Sequence, residues 1–258
     1  MHAERFSLDR YLKRIGFAGE ARADVATLKQ MMQRQARSVP FENLDVQAGK
    51  IVSIDPEDIA GKILESPRGG YCYEVNSLFA MACAAIGIPY RLIGARPLLP
   101  GPARPRSHMI VLAFPDDDGG WLCDTGYGRF GLREPIRADA TEPVQQDLDV
   151  YRIVREPGLM RIETQLAGDA PGWNGLYSFN LSPFELNDFI ATNYFNSTHP
   201  DAVFVQKLLL VQHTETGRHI LFGDQLKTYE NGQLRERTVA GAETAAVVKE
   251  LFGLELQA

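Results

Sequence analysis

The nine residues Arg68-Gly69-Gly70-Tyr71-Cys72-Tyr73-Glu74-Val75-Asn76 constrain this chain more than any other stretch. A glycine pair runs straight into a helical pattern, and a cysteine stands in its first turn. Val75, Leu78, Phe79, Ala82 and Ile86 recur at spacings of three and four, which predicts one apolar face of an amphipathic helix. Gly87 follows as a C′ residue, and Pro89 stops any continuation. The unpaired N–H groups and positive dipole end of a helix start favour an anion. A thiol held there loses its proton more readily than a free one, and the thiolate is the nucleophile. Cys72 lies three residues before Val75, so its sulfur continues the buried stripe toward the core or a cleft. The segment reads as a mount for a nucleophile. The alternative is a small buried hydrophobe, as free cysteines often are.

The chain has 258 residues, 45% of them hydrophobic. That suffices for one large domain or two to three small ones. The net charge of −6 argues against a nucleic-acid binder, which usually carries a basic face. No apolar run approaches the roughly 18 residues of a membrane helix, and Met1 to Arg5 lacks the apolar core of a signal peptide. Three cysteines, Cys72, Cys83 and Cys123, argue against a disulfide framework and for a reducing compartment. A cytoplasmic protein is expected. Without a C-x-x-C or zinc spacing, no metal site is expected.

Three parts follow from the patterning: residues 1–87, 88–181 and 182–258. The first is helical. Tyr11, Leu12, Ile15 and Phe17 form a short apolar pattern closed near Gly16 and Gly19. Val25, Leu28, Met31 and Met32 form a second helix ending before Pro40. Asp55-Pro56 is an N-cap and N1 pair opening a third through Ile59, Ile63 and Leu64. The cysteine helix is the fourth. In the second part, strands are predicted over 90–95, 108–114, 121–123, 150–155 and 159–166. The Pro- and Gly-rich segment 98–106 is predicted as a loop, and 116–120 as a turn. The third part opens with Ser182-Pro183 as an N-cap pair and a helix through Phe184, Leu186, Phe189 and Ile190. Strands over 204–212, 219–222, 226–229 and 234–239 and a helix over 243–252 complete it. Asn231-Gly232 is a type I′ hairpin signal.

A cysteine nucleophile needs a base, and the base needs an orienting group. Of five histidines, His2 is terminal, His199 lies in a loop, and His213 and His219 flank the turn Glu215-Thr216-Gly217, where solvated histidines are common. His108 heads the strand His108-Met109-Ile110-Val111-Leu112-Ala113-Phe114, apolar on both faces and so buried. A structural core histidine is the alternative there. The next strand, Trp121-Leu122-Cys123-Asp124, follows a short turn and should pair with it as a hairpin. His108 and Asp124 share a face if the numbers of paired residues sum to an even value. The carboxylate is then a turn cap or an orienter for the imidazole. Cys72, His108 and Asp124 thus supply the residue types of a Cys-His-Asp triad.

At these residues the chain resembles the arylamine N-acetyltransferase family. Residues Arg68 to Asn76 fit its R-G-G-x-C-x-E-x-N signature, and Ser107-His108-Met109 fits its histidine strand. Asp124-Thr125-Gly126-Tyr127-Gly128 fits its D-V-G-F-G turn, with Thr125 and Tyr127 where Val and Phe are common. Pro40-Phe41-Glu42-Asn43-Leu44 fits P-F-E-N-L, and Tyr194 to Phe204 resembles its third-domain entry. Gln35 and Arg37 stand where relatives often carry histidine. The resemblance covers nearly the whole chain. It implies an α+β, cysteine-protease-like core: a helical domain, a β-barrel-like domain and an α/β lid, with Cys72, His108 and Asp124 as the triad. Tyr71, Gly126, Tyr127, Phe41, Arg68 and Glu42 are the candidate substrate-binding or supporting residues. Tyr127 adds a hydroxyl beside the acceptor pocket, and Arg68 with Glu42 would form a buried pair bracing the cysteine loop.

The implied chemistry is ping-pong acetyl transfer from acetyl-coenzyme A, a cosubstrate, to an arylamine, arylhydrazine or related amine through an acetyl-cysteine. The Cys72 N–H is a candidate oxyanion donor. No phosphate-binding loop opens a βαβ unit, so coenzyme A phosphates would meet scattered basic residues, Arg104, Arg106 or Lys207, each of which also reads as a solvated charge. The alternative within the family is an amide synthase closing a macrolactam on a carrier-bound polyketide thioester. A cysteine hydrolase and a non-catalytic binding module are the readings outside it. The sequence leaves the oligomeric state open.

Overall fold

The glycine pair owes its place to a close approach. Gly69 lies against the carbonyl of Pro40, where a Cβ would stand 1.7 Å from the oxygen. Phe41 and Gly70 form an isolated parallel bridge, with Gly70 N–H bonded to Pro40 O at 3.3 Å and Glu42 N–H to Gly70 O at 3.1 Å. No side chain fits at Gly69, so only glycine lets the chain pass Pro40 on its way into the cysteine helix. The computed structural model describes residues 1–98, 103–117 and 119–256.

The helices are α1 (Leu8–Arg14), α2 (Val25–Ser38), α3 (Leu44–Gln47), α4 (Pro56–Glu65), α5 (Cys72–Ala85), α6 (Ile190–Thr198), α7 (Val203–Gln206) and α8 (Thr244–Phe252). The strands are β1 (Phe41–Glu42), β2 (Tyr90–Pro97), β3 (His108–Ala113), β4 (Trp121–Cys123), β5 (Ile136–Arg137), β6 (Val144–Gln146), β7 (Asp149–Glu156), β8 (Leu159–Gln165), β9 (Asn174–Phe184), β10 (Leu209–His213), β11 (Gly217–Phe222), β12 (Gln225–Glu230) and β13 (Gln233–Thr238). The predicted Asp55 cap is in place, accepting from Glu57 N–H at 2.9 Å ahead of Pro56, and Asp24, which was not foreseen, caps α2 by accepting from Thr27 N–H at 2.7 Å. Asn231 and Gly232 have φ of 50° and 76°, the two left-handed positions of a type I′ turn.

Eight antiparallel strands form one barrel-like sheet in the order β5-β4-β3-β2-β9-β8-β7-β6. Five form a second sheet, β1-β10-β11-β12-β13. Phe41 and Glu42 pair with Val211 and Leu210, so a strand from the helical part edges the C-terminal sheet. A large core joins the helices to the barrel. A smaller one, including Leu210, Leu221, Leu226, Val247, Val248 and Phe252, lies between the second sheet and α8.

Four expectations change. The helix α5 is not amphipathic: every residue from Cys72 to Cys83 is buried, including Glu74, Asn76 and Ser77. It is a central helix, packed between α1, α2 and α4 and strands β2 and β3. Ser182-Pro183 caps no helix. Both residues belong to β9, the longest strand, where Pro183 pairs with Ile93 next to a register irregularity that accommodates its missing N–H. A 3₁₀ turn (Leu186–Phe189) and α6 follow, held by Glu185 N–H to Asp188 Oδ2 at 2.8 Å. Residues 204–206 are helical, in α7, and the strand begins only at Leu209. His213 is buried, not solvated: β10 carries it under Arg37, Arg133 and Arg218, and burial first, then those cations, hold its imidazole well below the usual range. Of the loop predicted over 98–106, residues 99–102 lie outside the described residues, as does Asp118 of the turn over 116–120.

Candidate functional site

Cys72 is the first residue of α5, 3% exposed. The turn before it is fixed by Glu74, whose Oε2 accepts the Tyr71 N–H at 3.0 Å. The two tyrosines flanking the cysteine are anchored on α6. The Tyr71 hydroxyl donates to Asn193 Oδ1 and lies 3.1 Å from Ser197 Oγ. The Tyr73 hydroxyl meets Ser107 O at 2.8 Å and Thr192 Oγ1 at 2.9 Å.

Beneath the turn lies a charged cluster. Glu42, 1% exposed, accepts from Arg68 Nε at 2.8 Å and from Leu44 N–H at 2.7 Å, and stands 3.5 Å from Lys62 Nζ. Lys62 also bonds Asp45 at 2.6 Å and Glu74 at 2.7 Å, and Arg68 reaches Asp45 at 3.1 Å. Burial disfavours the Lys62 ammonium, but Glu74, Glu42 and Asp45 outweigh it and raise its pKa. Glu74 goes up to about 7: burial acts first, with Glu42 adding to it, against the pull of Lys62.

The hairpin of β3 and β4 pairs Val111 with Cys123 and Leu112 with Leu122. The paired numbers sum to an even value, and extending that register puts Asp124 opposite Ile110, on the face of His108. His108 Nε2 and Asp124 Oδ2 are 2.7 Å apart, both side chains buried. This leaves Nδ1 as the second ring nitrogen, and Cys72, which lines the same cavity, is near enough to the imidazole to help raise its pKa. Burial works against the imidazolium, but the charge and hydrogen bond of Asp124, then the bond and charge of Cys72, carry His108 up to about 10. Burial likewise opposes the Asp124 carboxylate, but His108, Asn76 and the Gly126 N–H hold its pKa below the usual range.

Asn76 closes the signature read in the sequence. It sits one turn along α5 from Cys72 and clamps the carboxylate turn. Its Nδ2 donates to Asp124 Oδ1 at 3.1 Å and to Met109 O at 2.7 Å, and its Oδ1 accepts from Thr125 N–H at 2.9 Å. Gln35, where relatives often carry histidine, joins the same knot, donating to Val75 O at 2.8 Å and Thr125 Oγ1 at 2.9 Å. Tyr177 lay in a strand that was not predicted. Its ring centroid packs 5.1 Å from that of His108, and burial, then Asp124, keep its hydroxyl protonated.

A cavity of about 600 Å³ opens above the sulfur, lined by Cys72, His108, Phe41, Gly126 and Tyr127, with Phe204 and Trp173 farther out. Tyr71, Arg68 and Glu42 do not line it. They support the cysteine turn from behind. The Tyr127 hydroxyl is not free for a ligand: it donates to Leu176 O at 2.6 Å. Among the basic candidates, Arg104 lines the cavity, with a buried Nε that has no hydrogen-bond partner. Arg106 instead bonds Asn180 at 3.2 Å, and Lys207 packs beside Gly223. Among the described residues, no cluster of three or more His, Cys, Asp or Glu could hold a metal, and no helix is long and apolar enough to cross a membrane.

A family model described as N-acetyltransferase matches residues 24–258, which sets the class. The arylamine N-acetyltransferase of Mycolicibacterium smegmatis is 32% identical over 255 residues, 95% of this chain and 91% of that protein. The solved arylamine N-acetyltransferase of Mycobacterium abscessus superposes with a TM-score of 0.91 at 30% identity, over 99% of this chain and 92% of that one. The Mycobacterium marinum enzyme, solved in complex with CoA, gives 0.88 at 27% identity, over 96% and 92%. The chain belongs to the arylamine N-acetyltransferase family, and it shares that family's fold.

Proposed function

We propose that this chain moves an acetyl group from acetyl-coenzyme A to an arylamine, arylhydrazine or related amine, with Cys72, His108 and Asp124 as its triad. One observation carries the reading: His108, 2.7 Å from the buried Asp124 carboxylate, lines the large cavity together with Cys72. His108 holds Cys72 as a thiolate–imidazolium pair, and Asp124 fixes the ring so that Nδ1 faces the sulfur. The cavity, with its apolar walls and Arg104, fits a thioester donor bearing phosphates.

In the first half-reaction, Cys72 Sγ attacks the thioester carbonyl. The Cys72 N–H, at the helix start, is the candidate donor to the oxyanion. The carbon–sulfur bond to coenzyme A breaks, and His108 returns its proton to the departing thiolate. In the second, a neutral amine attacks the acetyl-Cys72 carbonyl, and His108 takes the proton from nitrogen. Cys72 leaves as thiolate and the amide departs. Arylamines suit this because they are weakly basic and uncharged at neutral pH.

Intact mass spectrometry tests the scheme. Acetyl-coenzyme A alone should add one acetyl group to the protein, and an aromatic amine should discharge it as the amide. Cys72→Ala should add none. An adduct discharged by water at the same rate with or without amine would indicate a hydrolase. An adduct that no free amine removes would indicate an amide synthase.

A further inference from the structure

The carbonyl of Ser107, the residue before the His108 strand, faces the nucleophile. Cys72 Sγ lies 3.9 Å from this oxygen, within reach of an S–H donor. Two other groups are also directed at it: the Tyr73 hydroxyl at 2.8 Å and the Asn196 amide at 3.4 Å. They arrive from different parts of the chain, Tyr73 on α5 beside the cysteine and Asn196 on α6. Thr192, one turn from Asn196 on α6, lies 2.9 Å from the same tyrosine hydroxyl. A phenol has a single proton to give. Thr192 Oγ1 gives its own proton to Phe189 O at 3.2 Å, and of the two acceptors facing the Tyr73 hydroxyl the Ser107 carbonyl is the nearer and the stronger.

A carbonyl oxygen has two lone pairs. Left open, the Ser107 oxygen would accept from the neutral thiol and stabilise the protonated form of Cys72. It would also set its negative end against the thiolate. With both lone pairs taken, its electron density is drawn away from the sulfur, and the proton of Cys72 has one good acceptor, His108. We propose that Tyr73 and Asn196 are positioning residues that saturate the Ser107 carbonyl and so direct the Cys72 proton to His108. This role for Tyr73 and Asn196 rests on the triad reading above. It adds that α6 takes part in activating a thiol it does not touch.

The pH profile of Cys72 alkylation by iodoacetamide, mapped by peptide mass, is the test. Wild type, Tyr73→Phe, Asn196→Ala and the double variant are compared, each with its melting temperature. Tyr73→Phe keeps the ring and removes the donor. Its profile should move up by about 0.5–1 pH unit, the worth of one hydrogen bond. Asn196→Ala, which loses the longer bond, should move it less, and the double variant most. Formation of the acetyl adduct in a single turnover should slow by about three- to tenfold at pH 7 in Tyr73→Phe and recover at higher pH. A profile that stays at the wild-type position in Tyr73→Phe overturns the proposal, whatever happens to the melting temperature. If that variant does not fold, Asn196→Ala decides in the same way. A wild-type Cys72 that alkylates no faster than a free thiol at neutral pH sinks the triad reading instead, and this proposal with it.

Discussion

Asn76 Nδ2 donates to Asp124 Oδ1 at 3.1 Å, so the helix that begins with Cys72 also holds the carboxylate bonded to His108. One side chain thereby sets the spacing between two elements 48 residues apart in sequence. Replacing Asn76 with Ala strips a donor from Asp124 and from Met109 O, and an acceptor from the Thr125 N–H. The expected loss of stability is about 2 kcal/mol, the cost of buried polar groups left unpaired. Displacing Asp124 should lower kcat/KM by up to about a hundredfold, since small misplacements of catalytic groups are costly. Urea unfolding and steady-state kinetics check the two effects separately. Full activity in Asn76→Ala would show that the turn holds Asp124 without the helix.

Glu42 and Arg68 brace the cysteine loop from below. The carboxylate is fully enclosed by Arg68, Lys62 and the Leu44 N–H, and its neighbours Asp45 and Glu74 already share the same cations. In Glu42→Gln the shape is kept, but a buried amide N–H now meets the Arg68, Lys62 and Leu44 donors in place of a charged acceptor, and Asp45 and Glu74 alone face the two cations. Breaking such a buried arrangement should cost about 3 kcal/mol, against about 0.5 kcal/mol for an ordinary surface change. The midpoint of urea denaturation distinguishes these values.

Much of the fold was legible because its signals are local. Asp55-Pro56 and Asn231-Gly232 act within a few residues of themselves, and each was read where it lies. Cys72, His108 and Asp124 could be picked out as candidates for a related reason: they stand at the starts or ends of strongly patterned elements. What escaped depends on distant packing. The all-round burial of α5 arises because helices pack on one side and the barrel on the other, and spacing alone cannot reveal the second layer. Ser182-Pro183 has the composition of a helix start, yet pairing with β2 overrides it. His213 reads as solvated until β10 is seen beneath three arginines. The parity of the His108–Asp124 hairpin needed a register that no turn residue dictates.

The His108 imidazole sets an alkaline limit. Its folded pKa is raised to about 10, mainly by Asp124 against the opposing effect of burial. In the unfolded chain it returns to about 6.5. The folded state therefore binds the proton more tightly. The stability from this group is fully present below about 6.5, erodes above it, and is lost as pH rises through about 10. Asp124 gives the opposite limb: its lowered pKa contributes stability above about 4, lost on acidification. Between pH 7 and 10.5, urea midpoints should fall more in wild type than in His108→Gln. Parallel slopes in the two proteins would mean that His108 is neutral in the fold.

Gly126 is where the Asp124 turn meets the start of α5. A Cβ at this position would lie 2.7 Å from Cys72 Cα and 2.8 Å from Asn76 Nδ2. The first contact is with backbone and cannot rotate away, so in Gly126→Ala the turn or the helix start must shift. Either shift changes the distance from Cys72 to His108 while leaving all three triad residues in the chain. Overpacking of this kind costs about 1–3 kcal/mol, and the protein, held by its large core, should still fold. The acetyl adduct should form at least about tenfold more slowly, because attack requires near-contact geometry. The loss should not be rescued by raising pH, in contrast to a change that acts on the thiol proton. Stopped acylation reactions read by intact mass at pH 7 and pH 9 separate the two. Recovery at pH 9 would mean that Gly126 tunes proton transfer instead of holding the sulfur and the imidazole at their working distance.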